Sequence, residues 1–271
     1  MSEKDVIERS PHPFTRELLV QELAQLGLQP GMVLLVHSSL SKIGYVPGGP
    51  VAVIQALQDV LTPAGTLVMP THSSDYSEPA DWQNPPVPAD WQPIVRAHMP
   101  AFELALTPTR QMGAIAELFR TWPDVLRSNH PQVSFAAWGR HAARITAAHS
   151  LSFGMGDQSP LGQIYAFDGH VLLLGVGHAN NTSFHLAEFR AGVRPTMREG
   201  APILEDGRRV WREYDELDYD DEPFPQLGAA FDETGAVTIG RVGLAECRLF
   251  AQRTAVDFAQ QWLTATIASS A

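Results

Sequence analysis

A chain of 271 residues, 44% hydrophobic and 18% charged, is long enough to bury a sizeable core and too apolar to be disordered. A formal net charge of −11 without a Lys/Arg cluster argues against nucleic acid as a partner, and no apolar run approaches the ~18 residues of a membrane span. The single Cys247 excludes an internal disulfide and a Cys-based zinc cage.

In chain order, Thr15 to Gly27 predicts an amphipathic helix, with Leu18, Leu19, Leu23 and Leu26 on one side and Gly27 as its stop. Pro30-Gly31 turns into the strand Met32–Val36, and Pro50 to Leu61 reads as a helix with proline at its start. Pro63-Ala64-Gly65 leads into the strand Thr66–Met69. An α-β-α-β opening with short turns argues for a layered α/β domain. His72 to Thr109 loses periodicity and holds seven prolines with Trp82 and Trp91, which suits an ordered lid or wall. Gly113 to Trp122 is helical again, Val171–Leu174 is a buried strand, and Phe184 to Ala191 is a helix. Gly243 to Leu263 predicts a C-terminal amphipathic helix carrying Cys247 in the core. Without repeats or a clear linker, residues 1–271 read as one domain.

Val171 to Arg190 is the most informative stretch. Four apolar residues end at Gly175-Val176-Gly177, and Asn181, Thr182 and Ser183 are all N-cap types, so His185 falls in a first helical turn. Glu188 follows at i+3, on the same face. An imidazole held by a carboxylate at the mouth of a strand-to-helix turn is what proton abstraction needs. A solvated surface pair is the plainer reading of the same spacing. His37-Ser38-Ser39-Leu40, with Gly44, Gly48 and Gly49, offers backbone N–H groups after the first strand but is no P-loop. His37, His72, His178 and His185 lack metal-ligand spacing, so no metal is expected. Ser159 lacks the second glycine of a nucleophile elbow. Glu213 to Glu222, seven acidic residues in ten, reads as a solvated edge, or alternatively as the border of a cavity for a polyamine.

In order along the chain, several segments resemble the aminoglycoside 3-N-acetyltransferase family. They are His37-Ser38-Ser39-Leu40 with Gly44 and Gly48-Gly49; Gly65 to Thr71; Met112-Gly113 through Glu117 and Arg120; Arg127 to Pro131; Ser134 to Gly139; Ser159-Pro160-Leu161; Asn181 to Glu188; and Gly240 to Gly243. The resemblance runs from Thr15 to Leu263 and implies a three-layer α/β/α sandwich with a mixed central sheet. It implies acetyl transfer from acetyl-CoA to the 3-amino group of a 2-deoxystreptamine antibiotic. Ser38, Ser39, Leu40, Gly48, Thr71, Met112 and Gly113 would then hold CoA, and His185 with Glu188 would be the catalytic pair. Relatives often carry an aromatic residue and an Asp where this chain has His178 and Ala179.

For the oxyanion, backbone N–H groups opening the 182–188 helix, or the Thr182 hydroxyl, are the candidates. Asp75, Glu103, Asp157 and Asp221 are the carboxylates proposed for a cationic small-molecule substrate. A same-family enzyme acting on another amine, a hydrolase using Ser159 or Ser38, and a non-catalytic polycation-binding module are the alternatives. The charged opening Ser2-Glu3-Lys4-Asp5 is followed by no apolar stretch, so no secretory signal and a cytoplasmic location are expected. The oligomeric state stays open, a homodimer being one option.

Overall fold

In the computed structural model, which describes residues 2–268, the chain begins with two helices, α1 (Glu3–Arg9) and α2 (Arg16–Leu26). Thr15 caps α2 through its side chain, and Gly27 ends it at φ 117°. Strand β1 (Val33–Ser38) follows, then α3 (Leu40–Ile43), α4 (Pro50–Leu61) and β2 (Thr66–Pro70). After a long irregular stretch interrupted by α5 (Gln92–His98) come α6 (Gly113–Phe119), β3 (Leu126–Arg127), β4 (Phe135–Gly139), α7 (Ala142–Ala147), α8 (Pro160–Ala166) and β5 (His170–Leu174). The remainder is α9 (Ser183–Ala191), the hairpin β6 (Thr196–Glu205) and β7 (Arg208–Leu217), α10 (Phe224–Asp232), β8 (Thr238–Val242), β9 (Ala245–Ala251) and α11 (Gln252–Ala268).

Seven strands form one sheet in the order β3-β4-β2-β1-β5-β9-β8. β1 runs parallel to both β2 and β5, and the outer pairings are antiparallel, so the sheet is mixed. Both faces are apolar, which is why the central strands read as continuous hydrophobic runs. Successive side chains go to opposite faces. Leu34, Val36, Leu67, Met69, Leu172 and Leu174 enter a core shared with α2, α4 and α6. Leu35, Val68, Val171 and Leu173 enter a second core with α7 to α11. The result is the three-layer α/β/α sandwich with a mixed sheet.

The C-terminal segment differs from the reading by periodicity. Gly243 to Ala251 is the turn and second strand of the β8–β9 hairpin, and the helix starts only at Gln252. Ala245, Cys247 and Leu249 alternate into one core and Phe250 faces the other, a period of two hidden among residues that also suit a helix. Cys247 is buried on this strand, not on a helix.

The stretch from His72 to Thr109 is an ordered wall containing α5, and it is tied to the β6–β7 hairpin. Phe102 N donates to the Pro202 carbonyl at 2.8 Å, Glu78 N donates to Glu199 at 2.9 Å, and Arg209 reaches the carbonyls of Arg96 and Met99. The Arg96–Glu78 ion pair braces it internally.

Candidate active site

β1 and β5 are parallel neighbours, and β1 has partners on both sides. The chain leaves β1 for β2 through α4 on one face and reaches β5 through α8 on the other, so their carboxyl ends border a crevice at a topological switch point. A cavity of about 230 Å³ opens there, lined by His37 and Ser38 from β1, Val176 after β5, and Asn181, Thr182 and His185 at the start of α9. Its other walls come from Pro70, His72, Gln111, Met112, Met155 and Asp221.

His185 Nδ1 lies 2.7 Å from Glu188 Oε2. An ionised carboxylate only accepts hydrogen bonds, so Nδ1 carries the proton and Nε2 keeps a lone pair on a ring that lines the cavity. Glu188 is fully buried. Its other oxygen accepts from Arg194 Nε at 2.5 Å, and Arg194 also pairs with Asp220 at 3.0 Å. The imidazole is clamped edge-on by Tyr219, with ring centroids 4.9 Å apart, and is packed by Phe224 at 4.8 Å. The pair is therefore no solvated surface contact; its carboxylate is sealed and its ring is held on three sides.

His37 and His72 stand on the same cavity wall. Burial, reinforced by the positive charge that His185 carries whenever it is protonated, pushes each pKa down to about 3, so both are neutral at physiological pH. Among the described residues no three His, Cys, Asp or Glu side chains could hold a metal ion. His178 lies elsewhere, buried, with Nε2 3.0 Å from Asp232.

The backbone N–H groups proposed for the oxyanion are occupied. Thr182 N donates to the Asn180 carbonyl, Phe184 N to that of Asn181 and His185 N to that of Thr182, while Ser183 N donates to Asn181 Oδ1. Thr182 has helical backbone angles with no side-chain cap, and its hydroxyl lies 3.4 Å from His37 Nε2. Asn181, 1% exposed, instead presents an Nδ2 amide with no hydrogen-bond partner among the described residues, and it lines the cavity. Periodicity could not single it out, because an asparagine before a helix reads as a cap.

The residues expected to hold CoA divide among several places. Ser38 and Met112 line the catalytic cavity, and Leu40 and Gly48 line another of about 460 Å³ with Gly44 and Gly49. Ser39 precedes α3 without capping it through its side chain and donates its N–H to the Leu174 carbonyl, and Gly113 opens α6 at φ +81° beside Ser38. Thr71 is fully buried beneath the wall; its hydroxyl lies 3.1 Å from Ser134 Oγ, and its carbonyl accepts from Arg127. It is placed to support the site rather than to touch a ligand.

The four carboxylates do not converge. Asp221 lines the catalytic cavity and Asp75 a neighbouring one, whereas Glu103 lines a separate cleft with Leu104 and His149. Asp157 is an exposed partner of Arg190 at 2.7 Å. The acidic run is not one solvated edge either. Asp215 pairs with Arg198 at the surface, but Glu216 is buried and its pKa is pushed up to about 7 by burial. Ser159 is a buried cap of α8, its hydroxyl donating to the Gly156 carbonyl and accepting from Leu161 N, so it is not poised as a nucleophile.

A carboxylate-fixed imidazole stands at the strand ends of a three-layer α/β sandwich, where α/β proteins gather their ligand sites. A family model described as aminoglycoside 3-N-acetyltransferase matches residues 35–264, and the chain belongs to that family. The SPbeta prophage-derived aminoglycoside N(3')-acetyltransferase-like protein YokD of Bacillus subtilis (strain 168) is 50% identical over 260 residues, covering 96% of each chain. The crystal structure of YokD matches with a TM-score of 0.95. Aminoglycoside N(3)-acetyltransferase III of Pseudomonas aeruginosa is 39% identical over 271 residues, 96% of this chain and 97% of its own. The structure of AAC-IIIb with CoASH matches at 30% identity with a TM-score of 0.85, covering 94% of this chain and 98% of that one.

Proposed function

We propose that this enzyme transfers the acetyl group of acetyl-CoA to the 3-amino group of 2-deoxystreptamine aminoglycosides, with His185 as general base. The observation that carries this reading is the 2.7 Å contact between His185 and a fully buried Glu188 on a cavity wall. The family match and the CoA complex of a 30% identical neighbour support acetyl-CoA as the donor, and the relatives' names support the acceptor. Both cores packing on one sheet supports one domain for residues 1–271.

An aminoglycoside amine is protonated in water and cannot attack a thioester until it loses a proton. His185 Nε2 accepts it, and Glu188 and Arg194 stabilise the imidazolium and hold its orientation. The nitrogen forms a bond to the acetyl carbonyl carbon. Asn181 Nδ2, with the Thr182 hydroxyl, donates to the developing oxyanion in place of the backbone groups that the helix uses; the support is that both residues line the cavity. The C–S bond then breaks, the sulfur leaves with its electron pair and takes up the proton held on His185, and the nitrogen, which carries one proton too many after forming its new bond, releases that proton to solvent to leave a neutral amide. Asp221 on the cavity wall supplies a carboxylate for a neighbouring substrate ammonium.

Thiol release from acetyl-CoA with gentamicin, neomycin and apramycin tests the reaction. His185→Ala should lower turnover a hundredfold or more, with acetyl-CoA affinity nearly unchanged. Near-normal turnover in the folded variant removes His185 from the mechanism. No release with any aminoglycoside, while acetyl-CoA still binds, moves the acceptor to another amine.

A further inference from the structure

We propose that Tyr219 is a positioning residue whose ring fixes the plane of the His185 imidazole, a role that rests on reading His185 as the base. One hydrogen bond at Nδ1 holds a histidine ring at a single point, and the terminal torsion of histidine is broad and roughly two-fold. The bond to Glu188 Oε2 therefore leaves the plane of the ring, and with it the direction of the Nε2 lone pair, to be set by packing. Two aromatic rings supply it. Phe224 lies 4.8 Å from the imidazole, centroid to centroid, at an interplanar angle of 53°, and Tyr219 lies 4.9 Å away at 64°. Phe224 is fully buried in the core at the start of α10, so the fold requires it whatever the site does. Tyr219 is only half-buried and stands outside any helix or strand, just past the end of β7.

The segment that carries Tyr219 is built around the base. It belongs to the acidic run Glu213 to Glu222, whose composition suggests a solvated edge, yet residues 218–221 wrap the His185–Glu188 pair. Asp218 N donates to the Pro195 carbonyl at 3.0 Å, Asp220 pairs with Arg194 at 3.0 Å, and Asp220 N donates to Glu188 Oε1 at 3.4 Å. Asp221 then reaches the cavity wall. Through its neighbour Asp220, Tyr219 is tied to the same carboxylate that holds Nδ1, so the ring contact and the hydrogen bond are kept in register. The Tyr219 hydroxyl is buried, and burial together with the charge of Glu216 pushes its pKa above the ordinary tyrosine value, which keeps it neutral. Glu216 is itself fixed, accepting from Gly154 N at 2.8 Å and Leu217 N at 3.0 Å. The hydroxyl thus meets Glu216 while the ring meets the base.

The test follows thiol release with gentamicin in the wild type, Tyr219→Leu, Tyr219→Phe, His185→Ala and the double variant His185→Ala/Tyr219→Leu, with Tyr219→Met replacing Tyr219→Leu should that variant not fold. A base that loses its orientation slows the chemical step, so Tyr219→Leu should lower kcat about tenfold while the KM values for gentamicin and acetyl-CoA stay within about twofold. Tyr219→Phe keeps the ring and should stay within about threefold of wild-type kcat, because the orientation is retained. In the His185→Ala background Tyr219→Leu should change nothing further, since a residue that acts through His185 then has nothing to position. Equal losses in both backgrounds, a loss in Tyr219→Phe as large as in Tyr219→Leu, a raised KM without a fall in kcat, or an unchanged kcat each overturn the proposal. Should the wild type release no thiol, or His185→Ala turn over normally, the reading of His185 as base falls and NMR of the His185 ring protons judges the contact by itself. Signals that shift and broaden in Tyr219→Leu but not in Tyr219→Phe keep Tyr219 as the residue that fixes this imidazole; signals identical in all three proteins overturn that too.

Discussion

At the scale of single residues, hydrogen-bonding direction fixes how the His185 imidazole is held. An ionised Glu188 can only accept, so the imidazole offers Nδ1–H and keeps the lone pair on Nε2, the nitrogen we propose as the base. The i+3 spacing of His185 and Glu188 exposes this pair to a sequence reading. Arg194, six residues beyond Glu188 and past the helix-ending Gly192, gives no such signal, yet it balances the buried carboxylate. Asn181 carries the sharpest residue-scale prediction. Its Oδ1 accepts from Ser183 N at 3.3 Å while Nδ2 is buried without a partner among the described residues, so only one end of the side chain is used structurally there. Asn181→Asp retains the acceptor and replaces the donor with an oxygen that repels an oxyanion. Turnover should fall about 10²- to 10³-fold, the loss typical of removing one oxyanion donor. Steady-state thiol release checks it; a variant with wild-type kcat would exclude Asn181 from oxyanion stabilisation.

At the scale of elements, the regular segments were legible because local chemistry and packing agree. Thr15 and Gly27 bracket α2, Pro50 opens α4, and the apolar runs of β1, β2 and β5 follow from burial on both faces. The β8–β9 hairpin escapes a reading by periodicity because alternation and helical spacing overlap over so few residues. The wall from His72 to Thr109 was legible only as an ordered irregular segment, since long-range bonds hold it. Arg127 is the clearest of these. Buried on β3, it finds no carboxylate partner among the described residues and donates instead to the carbonyls of Thr71, Leu104 and Thr107 and the hydroxyls of Ser73 and Ser134. Burial, then the charge of Arg120, lowers its pKa to about 10, so it stays cationic at neutral pH. One side chain therefore pins the segment near both ends. Arg127→Met should cost about 3 kcal/mol, because several buried acceptors lose their donor. Urea unfolding measures the loss, and limited proteolysis should cut the 72–109 segment first. An unchanged unfolding midpoint would show that the wall is held without Arg127.

At the scale of the whole molecule, burial of neutral histidines sets how stability responds to acid. Burial pushes His37 and His72 down to about 3 and His149 to about 4, and it holds His130 well below its ordinary value. The neutral rings have structural work: His130 accepts from the backbone N–H groups of Gln132 and Val133, and His149 lies 2.6 Å from the Gly154 carbonyl. Below the ordinary histidine value of about 6.5 the unfolded chain takes up these protons and the folded chain does not, so stability falls as pH falls through this window. Glu216 acts in the opposite sense. Its folded pKa, raised to about 7, lies above the unfolded value, so its contribution is present at low pH and is lost as pH rises towards 7. Four histidines outweigh one carboxyl, and the net slope from pH 6.5 to 4.5 should be positive, up to about 1.4 kcal/mol per pH unit for each net proton. Below that window Glu117, held at about 2 with Arg120 and Thr109 as partners, adds to the acid loss. Urea unfolding at fixed ionic strength should show the midpoint falling steadily over this range. Glu216→Gln removes the opposing group and should steepen the slope between pH 4.5 and 7 by about one proton. A flat profile, or a slope unmoved by Glu216→Gln, would contradict the assignment of these buried groups as the source of acid sensitivity.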